Sequence, residues 1–174
     1  MDQKELEAAL QASVGLSRGP YLGWDTVNRA MIRHWCEAMG DNNPAYKTPN
    51  AAELVGGHSD GVIAPATMLQ AWTMVGFNGE HPEGSDTNHP VPVLDLFDQA
   101  GYKAVVATNC EQEYFAPVCE GDDIRNYSII ESISSQKTTG LGVGYFVTQL
   151  MQFKNQHDEL VGEMRFRILK YKPH

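Results

Sequence analysis

Apolar positions follow two regimes along the chain. Up to Gly101 they recur every three or four residues, and from Lys103 onward they alternate, so helices come before strands. Leu6, Ala9, Leu10 and Val14 form a stripe that predicts a short helix over residues 2–13, with Gly19-Pro20 as a break. Residues 21–27 read as a short strand. Asn28 is placed to cap a helix over residues 29–39, which carries Met31, Ile32, Trp35, Cys36 and Met39 on one face and stops at Gly40. A brief helical turn at 51–54 lies between Pro49 and Gly56-Gly57. Pro65 then opens a helix over residues 65–75, a favoured first-turn position for proline. Its apolar residues leave only Thr67, Gln70 and Thr73 as a thin polar stripe, the pattern of a helix buried on most sides. Residues 78–90, rich in Gly, Pro, Asp, Asn and His, form a loop long enough to be functional. A helix over 93–100 closes this half.

In the second half, residues 103–108 and 110–115 make one extended run, ended by Pro117 and the turn Glu120-Gly121-Asp122. Residues 124–132 follow. Leu141, Val143, Tyr145, Val147 and Met151 alternate along the next strand, and Leu160, Met164, Phe166 and Ile168 along the last, with a hairpin turn at 155–158. Helices followed by an antiparallel sheet predict an α+β fold in which a curved sheet wraps the long buried helix 65–75.

Length and composition narrow the function. At 174 residues the chain is read as a single domain. A net charge of −9 without a basic run gives no electrostatic support for nucleic acid or an anionic membrane as partner. The first residues lack the apolar core of a signal peptide, and no segment approaches the roughly 20 apolar residues of a membrane span. Cys36, Cys110 and Cys119 include no CxxC pair and are odd in number, so neither a disulfide framework nor a metal site is expected; reduced thiols in a cytoplasm are.

The stretch most suggestive of chemistry is Gly40-Asp41-Asn42-Asn43-Pro44-Ala45-Tyr46: a carboxylate, a run of turn formers, and a ring five positions after the Asp. Asp41 and Asn43 are also ordinary loop formers whose side chains bond nearby backbone. An ordinary phenol ionises near pH 10, so only about one part in a thousand is ionised at pH 7 and it makes a poor base. His34 falls on the polar side of its helix, and His81, His89, His157 and His174 fall in loops or at the end without metal spacing.

GDNNPAY, then VIAPATMLQAW (62–72), then FAPVCEGDDI (115–124) resemble, in that order, the MaoC-like hot-dog acyl dehydratases, the (R)-specific 2-enoyl-CoA hydratases and their FAS1-like relatives. The resemblance runs from Tyr21 to Tyr171, leaving residues 1–18 as an N-terminal helical extension of a single hot-dog domain spanning 1–174. VNRAMIRHWCEAMGDNNPAY, AGYKAVVATNCEQEY and RFRILKYKP are closer still to the MaoC-type domain of the large subunit of heteromeric steroid side-chain enoyl-CoA hydratases.

Active members of that family carry D-x-x-x-x-H, where Asp and His together activate water and protonate Cα of a trans-2-enoyl thioester. Here Tyr46 stands at the histidine position. Three readings are open: Asp41 as base with Tyr46 as acid, His58 folding back as base, or the chemistry lying on a partner chain. The start of the buried helix departs as well. The family places a His-Gly pair there with N–H groups aimed at the thioester oxygen, whereas this chain has Pro65-Ala66, and proline has no N–H.

The resemblance therefore implies a non-catalytic, pocket-forming subunit. No catalytic residue is expected in this chain; Asp41, Asn43 and Tyr46 mark a degenerate loop, and Ala64, Pro65, Ala66, Met68, Ala71 and Trp72 are the expected substrate-binding residues. The substrate would be a bulky steroid or bile-acid side-chain enoyl-CoA that carries its own coenzyme A, with no other cofactor. The partner would be a smaller MaoC-like subunit, in a heterodimer or α2β2 tetramer. In the relatives a separate zinc-ribbon/OB-type domain recruits a thiolase-like aldolase. A homodimeric hydratase or thioesterase using Asp41, and a non-enzymatic acyl-CoA-binding scaffold, are the alternatives. Lys103, Arg165, Arg167 and Lys170 are candidates for the coenzyme's phosphates by charge alone.

Overall fold

The computed structural model describes residues 2–57 and 61–174. Among these residues four α-helices, α1 (Gln3–Ala12), α2 (Arg29–Met39), α3 (Ala51–Leu54) and α4 (Val93–Gln99), accompany six strands, β1 (Ser17–Leu22), β2 (Ala104–Tyr114), β3 (Arg125–Ile133), β4 (Lys137–Thr139), β5 (Gly142–Lys154) and β6 (Leu160–Pro173). All strand pairings are antiparallel, in the order β1-β3-β5-β6-β2, with β4 also pairing with β5.

Helix ends follow local chemistry. Asp2 accepts the Glu5 N–H while Glu5 reaches back to the Asp2 N–H, a reciprocal cap for α1. Asn28 accepts the Met31 N–H, and Gly40 ends α2 at φ 66°, a left-handed conformation that favours glycine. On α2 only Ile32 and Cys36 are fully buried; Met31 and Met39, expected on the core face, are exposed.

The inward side chains of the sheet are covered by two separate apolar clusters. At one end α1 and α4 place Leu6, Leu10, Val93 and Phe97 over Ile130, Ile133, Tyr145 and Val147. The expected N-terminal extension is thus part of the core. At the other end α2 and the segment after Pro65 place Ile32, Cys36, Met68, Leu69 and Trp72 over Met151, Phe153, Val161 and Met164.

That segment corrects the expected long buried helix 65–75. It is a 3-10 helix, Ala66–Thr73, with Pro65 at its N-cap and no side-chain cap. Met68, Leu69, Trp72 and Thr73 are buried, but Ala66, Gln70, Met74 and Val75 are exposed. Thr and Trp are mediocre helix formers, and the Asn126 amide ties Thr73 down at 2.7 Å, so the chain leaves the helical path there. Two further differences concern β1 and β4. The strand expected at 21–27 starts earlier and runs through Gly19-Pro20, with a register shift between Arg18 and Tyr21, and the short β4 has no apolar alternation to announce it.

Candidate functional site

The Gly40–Lys47 loop is built from its own side chains. The Asp41 N–H donates to the Cys36 carbonyl at 2.8 Å, continuing the α2 ladder into the loop. The Asp41 carboxylate accepts the Asn43 N–H at 2.9 Å, and the Asn43 side chain accepts the Ala45 N–H at 3.0 Å, starting the single turn Pro44–Tyr46. Lys47 Nζ donates to the Asn42 side chain at 3.1 Å.

Tyr46, half-buried against the core, forms the partition between two clefts. One, of about 490 Å³, is polar and lined by Arg29, Arg33, Glu37, Asp41 and Lys47. Arg29 is paired with Glu120 at 2.7 Å, and Arg33 approaches Glu37 at 3.9 Å. The other, of about 310 Å³, is apolar, with Ala64, Ala66, Leu69, Phe115 and Val118 in its walls. Among the described residues no histidine lines either cleft; His58 lies outside the described residues. Burial pushes the Cys36 thiol up, and the Asp41 charge adds to this, so Cys36 stays protonated and inert.

The expected substrate-binding residues divide. Ala64 and Ala66 line the apolar cleft, and Pro65 is buried between them. Met68 and Trp72 pack into the core, and Ala71 is half-buried on the wall of neither cleft. The basic candidates are largely engaged. Lys170 is buried against Asp98 at 2.7 Å, Arg165 pairs with Glu131 at 2.8 Å, and Arg167 lies 4.3 Å from the centre of the Phe146 ring.

A third cavity measures about 470 Å³ and is lined by none of Ala64, Ala66 and Ala71. It occupies the concave face of the sheet between the two apolar clusters, under the loop 78–90, with Thr73, Asn126, Gln149 and Met151 in its floor and Met74 and Val75 at its rim. Its roof is pinned by Asp86. This carboxylate accepts the N–H groups of Asn88 and Gly19, each at 2.9 Å, while the Asp86 N–H donates to the Pro20 carbonyl at 2.7 Å. Those hydrogen bonds, Asn88 first and then Gly19, hold the Asp86 carboxyl below the usual carboxylate range. The Tyr21 hydroxyl donates to the Asn88 carbonyl at 2.7 Å, and the Ser128 hydroxyl donates to that of Pro90 at 2.8 Å. A signal for this cavity was available: Gln149 holds an inward position between Val147 and Met151 in an otherwise apolar alternation.

A curved antiparallel sheet with a helical segment against its concave face is the hot-dog fold of the MaoC-like dehydratases. The chain belongs to this family: residues 20–164 match the FAS1-like, dehydratase domain region. It is 41% identical over 174 residues to a probable enoyl-CoA hydratase alpha subunit of Thermomonospora curvata, covering 99% of this chain and 54% of that protein. It is also 41% identical over 167 residues to the 3-oxo-4,17-pregnadiene-20-carboxyl-CoA hydratase alpha subunit of Mycobacterium tuberculosis, covering 96% of this chain and 52% of that protein. The chain thus spans about half the length of these curated relatives. In the crystal structure of the ChsH1-ChsH2 complex from Mycobacterium tuberculosis, one chain superposes with a TM-score of 0.82 at 40% identity, covering 98% of this chain and 92% of that one. A MaoC-like dehydratase at 20% identity shares the fold with a TM-score of 0.63, over 94% of this chain and 43% of that one. Among the described residues no helix is long and apolar enough to cross a membrane.

Proposed function

We propose that this chain is the non-catalytic, pocket-forming subunit of a heteromeric (R)-specific 2-enoyl-CoA hydratase, acting on a ring-bearing, steroid-type side-chain thioester such as the 3-oxo compound in the relative's name. The observation that carries this reading is the loop itself. Asp41 is held by backbone within the loop, Tyr46 stands where the family has its imidazole, and neither adjoining cleft is lined by a histidine among the described residues. Without an imidazole the site lacks a group able to take and return a proton near pH 7. The Asp/His pair would come from a smaller MaoC-like chain, whose docking would cover exposed apolar side chains such as Phe115 at the end of the edge strand β2.

The division of labour is then physical. The partner supplies base, acid and oxyanion donors, while this chain supplies volume that a full-length helix across the concave face would occupy. The acyl group would pass Ala64 and Ala66 and follow the eight-residue 3-10 helix, about 16 Å long at 2.0 Å per residue. The test is hydration of trans-2-enoyl-CoA by the purified chain, alone and with a MaoC-like partner carrying D-x-x-x-x-H. Little activity alone, activity with the partner, and no more than a twofold change in the pair on Asp41→Ala are expected. Full activity of the single chain, abolished by Asp41→Ala, would replace this reading with a homodimeric enzyme.

A further inference from the structure

The concave cavity has polar side chains where a core needs none. Thr73, Asn126 and Gln149 are each more than nine-tenths buried, and no Asp, Glu, Lys or Arg lines the space. Hydrogen-bond logic fixes how the two amides face. Ser128 gives its proton to the Pro90 carbonyl, so its lone pair requires a donor, and Gln149 Nε2 supplies it at 2.7 Å. Gln149 is left with a second N–H and its Oε1, neither of which has a partner among the described residues. In the same way Thr73 turns its proton toward the Gln70 carbonyl and accepts from Asn126 Nδ2 at 2.7 Å. The two amides stand at opposite ends of the cavity. Asn126 is level with Phe153, four residues along β5 from Gln149, or about 13 Å at strand rise. Met151 lies between them, level with Ser128.

We infer that this cavity is a recognition site for the far end of the acyl group, a rigid fused-ring hydrocarbon with a neutral oxygen, and that Gln149 reads that oxygen. The ring skeleton would lie over Met151 and beneath the roof formed by Pro90 and Tyr21. A ketone would accept the remaining Gln149 N–H, and a hydroxyl would donate to its Oε1. His81 and His89 line the space with Tyr21, but no acidic side chain does, so an ammonium would meet no counter-charge and is rejected, since burying an unpaired ion costs far more than a neutral hydrogen bond returns. A ligand lacking the oxygen leaves the amide desolvated and unpaired, which makes a buried polar group selective. This assignment rests on the proposal that the chain receives ring-bearing acyl-CoA.

The experiment is calorimetric titration of the chain, and of its complex with the partner, using two saturated acyl-CoA thioesters that cannot be hydrated. One carries a tetracyclic 3-ketone and the other its 3-deoxy counterpart. The ketone is expected to bind about tenfold more tightly, and Gln149→Met should remove that preference, in part by raising the 3-deoxy affinity because no unpaired amide is then left desolvated. Val75→Trp, at the exposed rim and away from the core, should weaken both ligands and keeps the test open if the Gln149 variant folds poorly. Equal affinities for the two thioesters, a preference that survives Gln149→Met, or unchanged binding in Val75→Trp would each overturn the assignment. Hydration of a ring-bearing trans-2-enoyl-CoA by the pair is measured alongside. Its absence with the ketone preference intact would reject the hydratase reading and leave the site standing; its presence with no preference would do the reverse.

Discussion

The two ends of the concave face do the same job with different amounts of structure. At the α1/α4 end, Phe97, Tyr102 and Tyr145 lie ring against ring, with centroids 5.2 to 6.2 Å apart, and Lys170 is buried beneath α4 against Asp98. At the other end a 3-10 helix of eight residues buries one side and leaves Ala66, Gln70, Met74 and Val75 open. Close-packed aromatic and aliphatic contacts make the first end a stabilising core. The second gives up cover that a longer helix would provide, and the space appears as cavity between it and the first. Both ends are packed cores, and the room lies between them, beside the incompletely covered 3-10 helix.

Truncation at the closed end should give the largest effect. Phe97 is wholly buried and touches both tyrosine rings. Phe97→Ala should cost about 3–5 kcal/mol, the range for removing a large aromatic side chain from a core, as read by urea unfolding. Binding of ring-bearing thioester per folded molecule should stay within twofold. A stability loss under 1 kcal/mol, or a selective loss of binding, would erase the distinction between the ends.

The roof tether should give an intermediate, pH-dependent effect. Asp86→Ala removes an acceptor for two backbone N–H groups and should cost about 1–2 kcal/mol at pH 7. The Asp86 carboxyl is depressed in the folded state, so its contribution is complete above the ordinary carboxylate value near 4. It is lost as pH falls through the lower folded value. The gap between wild type and Asp86→Ala should therefore be constant from pH 5 to 7 and close below about pH 4. A gap that persists at pH 2 would assign the effect to packing.

Much of this arrangement was legible in the residues. Asn28 and Gly40 bracket α2 because capping is local chemistry, and Tyr145, Val147 and Met151 on β5 and Met164 on β6 face inward as their alternation implies. Leu141, by contrast, is exposed, and the buried Val161 and Leu169 lie off the expected β6 row. The hot-dog fold followed from motif order. The 3-10 geometry of Ala66–Thr73 was not legible, because apolar content reports burial somewhere and not on how many sides; Met74 and Val75 are apolar yet exposed. The cavity was legible only as the long loop over 78–90, since its depth depends on two clusters failing to meet across the sheet. Its local traces were Gln149 in the β5 row and Asn126 and Ser128 in the β3 row, polar residues at inward positions.

The smallest expected effect on stability falls at the open end. Ala66 is exposed and borders the apolar cleft beside Tyr46, so Ala66→Phe should change unfolding free energy by no more than about 0.5 kcal/mol, the usual range for surface substitutions. Its effect on function should be out of proportion to that. On the route proposed above, a phenyl ring there obstructs passage past Ala64, so the assembled pair should lose at least tenfold in kcat/KM on ring-bearing enoyl-CoA. On a short linear enoyl-CoA, which need not pass that point, it should lose less than threefold. Equal losses on both substrates would mean that Ala66 borders the reacting end, and no loss on either would mean that the ring system takes another route. Only a selective loss at unchanged stability supports an open end kept for substrate.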